Sequence, residues 1–134
     1  MKHKLAKITL VLFVLALTSL ACEFSASTAK IASVQMARDA EGTQPTTEFA
    51  AEDTFYALAD LQNAPDGTTV RAVWTAVAVE GTEPNLKIDE AELETGSGTV
   101  QFELSNNNLW PAGTYKVEIY LNGELAQTVE FSVR

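Results

Sequence analysis

The sequence predicts an all-β fold, a β-sandwich of about seven short antiparallel strands that follows a cleaved signal peptide. Three observations beyond the N-terminal segment support this prediction. Apolar residues recur at every second position in short runs, Gly, Pro, Asn and Asp separate those runs, and there is no long run with helical spacing. The runs follow one another at nearly regular intervals, which is typical of antiparallel sandwiches.

The first half of the predicted domain contains the clearest strand patterns. Phe55 and Leu61 share one face of an alternating run, and the longest run is rich in valine, which favours strands. The predicted strands here cover residues 30–37, 54–61 and 69–79. Loops or turns are predicted from their Gly, Pro, Asn and Asp content at residues 39–48, 63–67 and 81–85.

Residues 87–104 predict a β-hairpin with a two-residue turn at 96–97. In this register the apolar residues of both strands share one face. The expected cross-strand pairs are Leu93 with Val100 and Ala91 with Phe102. A helix over 88–94 is the rival, because its Glu, Ala and Leu residues have fair helix propensity. The hairpin is preferred since its register closes without adjustment.

A second hairpin is predicted at the C-terminus, around the sequence Leu-Asn-Gly at 121–123. A two-residue Asn-Gly loop would place the apolar residues of the returning strand on the wrong face. A three-residue loop keeps them on the core face and uses Gly123 where a left-handed residue is needed. The expected pairs are Ile119 with Leu125 and Tyr115 with Val129.

The segment PAGTYKVEIYLNGELAQTVEFSV at 111–133 resembles the closing strand pair of bacterial immunoglobulin-like domains. In that family a Gly-x-Tyr motif opens the penultimate strand, as residues 113–115 do here. Trp74 also resembles the buried tryptophan of such sandwiches, whereas the pair of cysteines is missing, as is common in bacterial versions. The resemblance implies an immunoglobulin-like β-sandwich, and a fold does not by itself set a function.

The chain begins with three lysines and an uncharged run, Ile8 to Ala21, that ends at its only cysteine, Cys22. The run is shorter than the roughly 20 apolar residues that a transmembrane helix needs, and it suits a cleaved secretory signal. The sequence TSLAC at 18–22 resembles a bacterial lipoprotein signal, although Ser19 stands where leucine is usual. The resemblance implies cleavage before Cys22 and a diacylglycerol on its sulfur. Ordinary cleavage that leaves a free thiol is the alternative.

This resemblance divides the chain into a signal peptide (1–21), a lipidated cysteine with a short tether (22–29) and one sandwich domain (30–134). Two acyl chains hold a protein stably at a bilayer. The expected location is therefore the extracytoplasmic face of a cell membrane. Glu23 is not the aspartate that marks inner-membrane retention in some diderm bacteria, and the leaflet stays open.

Charge and composition exclude several classes of function. The chain has nine Lys and Arg, 18 Asp and Glu, and one histidine, His3. Removing the signal peptide takes away three lysines, so six basic residues remain against 18 acidic ones, a net charge of −12. Nucleic acid is not an expected partner, because its binding depends on Lys and Arg. Without histidine and with an acylated cysteine, Ser-His and Cys-His nucleophiles and Cys/His zinc sites are excluded.

The densest acidic run is interpreted as a solvated strand face. It comprises Asp89, Glu90, Glu92 and Glu94. A calcium site would need oxygen ligands around a tight turn, whereas alternate residues of a strand point the same way. With 18 acidic residues some carboxylate pair is inevitable, so a small carboxylate-based hydrolase is only a distant alternative. No catalytic residue, metal ligand or cofactor is predicted.

Four residues are predicted to form a candidate partner surface: Val73, Val77, Tyr120 and Trp110. If Trp74 faces the core, the valines of its strand, including Val79, face outward, and outward apolar stripes mark interaction surfaces. The preferred alternative is that loop 39–53, with Phe49, folds over this stripe, because soluble monomers seldom expose large apolar patches. Trp110 lies in a polar loop, where it could act as an exposed anchor. A plug at the end of the core is favoured, because large aromatic side chains bury most of their area.

The expected function is that of a non-catalytic binding or accessory module of the cell envelope, held to the membrane through lipid on Cys22. Its expected partner is an envelope protein or a glycan. A proteinase-inhibitor-like domain is the alternative, because some bacterial inhibitors share this type of sandwich. That function would need loop 39–48 or loop 105–110 to enter a protease cleft. The sequence leaves the partner's identity and the oligomeric state open.

Overall fold

The structure, a computed structural model, describes residues 28–134, so the predicted signal peptide and Cys22 lie outside the described residues. The described residues form eight strands: β1 (Lys30–Ala37), β2 (Glu48–Phe49), β3 (Phe55–Gln62), β4 (Thr68–Val79), β5 (Leu86–Thr95), β6 (Gly98–Leu104), β7 (Gly113–Leu121) and β8 (Glu124–Val133). One sheet has the order β1-β3-β6 and the other the order β2-β8-β7-β4-β5. The predicted all-β sandwich is confirmed.

An aromatic cluster fills the core between the two sheets. The ring of Phe55 lies at its centre, with centroid distances of 4.6 to 6.4 Å to five other rings. Those five rings belong to Phe49, Trp74, Trp110, Tyr115 and Phe131. Trp74 is 2% exposed, as predicted. Large buried rings contribute most of the apolar area that stabilises a core, so this cluster holds the sheets together in a domain without cysteines.

The sandwich has two ends, which we call the tether end and the far end. The tether end carries Thr28 and the turns at 63–67, 96–97 and 122–123. The Thr28 hydroxyl donates to the Asn63 carbonyl oxygen at 3.5 Å, so the described chain enters the domain at this end. The far end carries the segments 38–54, 80–85 and 105–112.

A β-bulge near the end of β4 changes which side chains face the core. The register between β4 and β7 shifts between Ala76 and Ala78, and beyond the shift Val79 is only 8% exposed. The expectation that Val79 faces outward was therefore wrong, because the extra residue of a bulge reverses the alternation. Gly113 pairs with Val79 at φ +150°, and a Cβ on Gly113 would lie 2.4 Å from the Ala78 carbonyl oxygen. Glycine thus permits the close approach at the bulge.

The predicted strands of residues 87–104 exist, but the predicted hairpin and the rival helix were both wrong. β5 pairs with β4, and β6 pairs with β3, so the turn at 96–97 crosses from one sheet to the other. Phe102 lies opposite Ala57, and Val100 lies opposite Ala59. Alternation shows which side chains share a face, yet it does not show which strand is the neighbour.

The C-terminal hairpin has a two-residue turn, so the predicted three-residue loop was wrong. Asn122 and Gly123 both have positive φ, +49° and +87°, as a type I′ turn requires. The register then shifts between Ile119 and Tyr120, and Ala126 is the extra residue on β8. The bulge restores the core face, with Tyr115 opposite Phe131 and Val117 opposite Val129.

Candidate interaction surfaces

The outer face of the five-stranded sheet carries three of the four predicted surface residues. Val73, Val77 and Tyr120 are each half-buried. Val73 lies between Glu90 of β5 and Glu118 of β7 in the strand register. The apolar stripe expected from the sequence is thus divided by carboxylates.

Charged groups cover the rest of this outer face. The Arg71 guanidinium lies 4.3 Å from the centroid of the Tyr120 ring, and its Nη1 lies 3.2 Å from Oε2 of Glu90. Lys87 Nζ also donates to Glu90, since the bulge beside Trp74 puts the two residues on the same face. Hydrogen bonds from Lys87 and Arg71 lower the pKa of Glu90 below its ordinary value of 4.5. This face offers a mixed-charge, polar surface.

Loop 39–53 does not cover the outer face, so that expectation was wrong. Phe49 belongs to β2, which pairs in parallel with the end of β8, and this pairing turns its side chain into the core. Its ring centroid lies 5.5 Å from that of Phe131. The loop instead contacts the three-stranded sheet, where Gln35 Nε2 donates to the Gly42 carbonyl oxygen at 3.0 Å.

Trp110 lies in the core rather than on an exposed surface. It is 8% exposed, and its ring stacks on Phe55 at a centroid distance of 4.6 Å. Its Nε1 donates to the Asp53 carbonyl oxygen at 2.9 Å, and its backbone N–H donates to the Ala51 carbonyl oxygen at 2.8 Å. The tryptophan closes the far end of the core, and its burial removes it from the candidate partner surface.

The acidic run lies on β5, at the edge of the five-stranded sheet, and its four acidic residues are exposed. Charges on an edge strand oppose pairing with a second edge. Within residues 28–134 no group of three or more His, Cys, Asp or Glu side chains is placed to hold a metal ion. The run is therefore a solvated and charged sheet edge.

The two loops considered for a protease cleft differ in shape. Loop 39–48 folds back on itself, because the Asp39 carboxylate accepts hydrogen bonds from the backbone N–H groups of Thr43 and Gln44 at 3.0 and 2.8 Å. The Thr43 hydroxyl also donates to it and lowers the pKa of Asp39. The residues of loop 105–110 are exposed up to position 109, where Leu109 is 67% exposed, and only Trp110 is buried.

Sequence reasoning missed an apolar groove, because the predicted hairpin placed β5 and β6 side by side in one sheet. The inner side of β5 carries four apolar side chains that line this groove, Leu86, Ile88, Ala91 and Leu93. It also carries one exposed carboxylate, Asp89, which lies opposite Trp74 in the register. Leu86 is 40% exposed and Ala91 is also exposed, whereas Ala72, which pairs with Ala91, is 0% exposed. The three-stranded sheet ends at β6, and no described strand lies beyond it to cover β5. We call the inner side of β5 and the open edge of β6 the β5 groove.

The far end of the β5 groove contains a small cleft. A cleft of about 110 Å³ opens there, lined by Ala76, Val79, Leu86, Ile88 and Trp110 together with neighbouring residues. Almost all of these lining atoms are apolar, and they come from β4, β5 and β7 and from the segments 80–85 and 105–112. The alternation of apolar residues in β5 indicates the apolar inner side of this strand only when β4 is known to be its neighbour.

In the part of the chain that the structure describes, no helix has the length and apolar character to cross a membrane. The predicted lipidation site, Cys22, lies outside those residues. The predictions for the membrane therefore depend on the sequence of the N-terminal segment.

No protein-family model and no curated protein matches the chain. Solved structures do resemble it. An immunoglobulin-like protein from Pseudomonas aeruginosa superposes with a TM-score of 0.54 at 15% identity, over 81% of this chain and 98% of that one. An alkylpurine DNA glycosylase from Pseudomonas fluorescens gives a TM-score of 0.52 at 18% identity, over 80% of this chain and 30% of the glycosylase. A β-glucosidase from Erythrobacter marinus gives 0.54 at 13% identity, over 79% of this chain and 15% of the enzyme.

These likenesses confirm an immunoglobulin-like β-sandwich. The chain spans nearly the whole immunoglobulin-like protein but less than a third of the glycosylase and of the glucosidase. At such low identity each match concerns the fold alone.

Proposed function

We propose that this protein is a lipid-anchored, non-catalytic binding module on the extracytoplasmic face of a cell membrane. The observation that carries the proposal is the N-terminal segment, in which lysines and an apolar run lead directly to the only cysteine, Cys22. Diacylglycerol on this cysteine would supply two acyl chains, enough for stable anchoring. Entry of the described chain at the tether end is consistent with a short link between lipid and domain.

The binding role is supported by the fold and by the open surfaces of the domain. One solved structure that the chain spans almost completely is an immunoglobulin-like protein. The β5 groove leaves apolar side chains exposed on a protein whose mature form carries a net charge of −12. Exposed apolar surface of this kind marks sites of interaction. An envelope protein fits this surface better than a glycan, because most of the exposed side chains of the β5 groove are apolar.

The anchor is tested with a Cys22→Ser variant of the natively expressed full chain, compared by intact mass and by membrane fractionation. We expect the wild type in membranes, starting at residue 22 with an added diacylglycerol, and the variant released or unprocessed. Ser27→Ala, which keeps the cysteine, is the matched control and stays in membranes. An unmodified Cys22 on a freely secreted protein would contradict the proposal.

A further inference from the structure

The two sheets of the sandwich differ in width by two strands, and this difference determines what the groove can bind. The five-stranded sheet extends to β5, whereas the three-stranded sheet stops at β6. Ala91 points to the inner side of β5, as its pairing with buried Ala72 shows, and yet it is exposed. A side chain on the inner side of a sandwich is exposed only where the opposite sheet is missing.

The open edge of β6 lies beside this uncovered strip. Within residues 28–134 β6 pairs only with β3, so one side of its backbone has no neighbouring strand. Neighbouring strands lie about 4.8 Å apart and packed sheets about 10 Å apart. A strand added beside β6 would therefore lie over the inner side of β5, with alternate side chains directed at it. β6 has seven residues, which sets the length of such a strand.

The side chains around the β5 groove determine which side chains an added strand would need. Toward β5 an added strand would meet Leu86, Ile88 and Leu93 and the 110 Å³ cleft, with Asp89 as the one carboxylate on this side, so most of its inward side chains would be apolar. On the outward side it would lie next to Glu103 of β6, on a mature chain with a net charge of −12. Its outward side chains would therefore be basic. A second copy of this acidic chain is opposed by like charge.

We propose that the β5 groove binds an extended segment of a partner protein, about seven residues long, in which apolar and basic residues alternate. The segment adds to the three-stranded sheet beside β6, through backbone hydrogen bonds, and its apolar side chains fill the far-end cleft and cover β5. Addition of a strand to an open sheet edge is an established mode of peptide recognition. This inference rests on the binding role proposed above, and it names the site and the chemistry of the partner.

The test uses the processed full chain in nonionic detergent and a synthetic peptide of alternating lysine and valine, seven residues long. The binding constant is measured by fluorescence anisotropy, and the exchange of the β6 backbone amides is measured with and without peptide. We expect the peptide to slow amide exchange in β6. A peptide of the same composition, with all lysines before all valines, controls for attraction by charge alone and should bind at least about tenfold more weakly.

Two matched variants separate insertion from simple charge attraction. Ala91→Glu puts a second carboxylate inside the groove, beside Asp89, and Ala126→Glu puts the same group on the exposed bulge of β8. Both alanines are exposed, so both variants should fold. If the valines enter the groove, Ala91→Glu weakens binding by about tenfold or more, although it adds a negative charge, and Ala126→Glu does not weaken it.

The inference would be overturned by equal binding of both peptides, by unchanged or tighter binding to Ala91→Glu, or by peptide-induced protection confined to strands other than β5 and β6. Self-association that Ala91→Glu abolishes would instead assign the groove to a second copy and would overturn it too. None of these outcomes bears on the lipid anchor, which the Cys22→Ser experiment tests separately.

Discussion

At the scale of single residues, Tyr115 and Trp110 each place a polar atom at the far end of the core, and each of these atoms donates a hydrogen bond there. The Tyr115 hydroxyl donates to the Pro111 carbonyl oxygen at 2.6 Å, and Trp110 Nε1 donates to the Asp53 carbonyl oxygen at 2.9 Å. A tyrosine near the start of the penultimate strand that bonds a backbone group a few residues upstream is a recurrent feature of immunoglobulin folds. These bonds join loop 105–112 to the core.

Replacing Tyr115 with phenylalanine should destabilise the domain by about 1 kcal/mol, because it removes the partly buried hydrogen bond to the Pro111 carbonyl oxygen and keeps the ring. Burial also raises the pKa of the Tyr115 hydroxyl above its ordinary value of 10.0. Its contribution to stability is therefore full below pH 10.0 and is lost as the pH rises through the raised pKa. The measurement is the free energy of unfolding in urea from about pH 8 to about pH 11.

Tyr120→Phe is the control, because it removes a hydroxyl from the outer face instead. We expect the wild type and Tyr120→Phe to lose stability in the alkaline range with a steeper slope than Tyr115→Phe. Equal slopes for all three proteins would show that the buried hydroxyl does not govern the alkaline loss of stability.

At the scale of elements, the sequence predicts the strands well and their neighbours poorly. Alternation in 54–61 correctly places four residues in the core, since each side chain's face depends only on the parity of its position. The partner of β5 depends on which sheet the chain enters after the turn at 96–97, and no local pattern encodes that choice. The β5 groove was missed for the same reason, because it exists only when β5 and β6 belong to different sheets.

Bulges limited the prediction in a second way. Val79 follows a bulge in β4, and Ala126 is the extra residue of a bulge in β8. Each bulge shifts the register by one residue. The apolar pattern around Leu125 admits either a longer loop or a bulge, and both keep the valines of β8 on the core face. The Asn-Gly pair itself favours the two-residue turn, because the backbone twist of a type I′ turn matches the twist of the two strands.

The bulge in β4 depends on one glycine. Gly113→Ala should destabilise the domain by more than about 2 kcal/mol, because its Cβ would lie 2.4 Å from the Ala78 carbonyl oxygen at a φ of +150°. The matched control is Gly67→Ala, where φ is +87° but no atom lies within 4 Å of the added Cβ, and a loss of about 1 kcal/mol is expected. Unfolding midpoints in urea measure both. Equal losses would mean that backbone strain alone, and not the close contact, disfavours the side chain at Gly113.

At the scale of the whole molecule, the two ends of the sandwich have different roles in the proposal. The tether end receives the chain beside Asn63, and the far end presents the apolar cleft. β4 has 12 residues, so the ends lie about 40 Å apart. The predicted tether, residues 22–29, spans at most about 27 Å when extended. In the proposed arrangement, lipid on Cys22 would keep the tether end near the bilayer and the cleft farther from it.

This orientation predicts different access to the bilayer at the two ends. Glu124→Cys lies in the tether-end hairpin and Glu83→Cys in the far-end turn, and each variant loses one carboxylate. After labelling with a fluorophore and insertion into vesicles that contain a headgroup quencher, the label at 124 should be quenched strongly and the label at 83 weakly. The wild type is the control for labelling, because a lipidated Cys22 has no thiol to react. Equal quenching would show that the domain turns freely on its tether, and stronger quenching at 83 would place the cleft against the membrane, where a partner protein could not reach it.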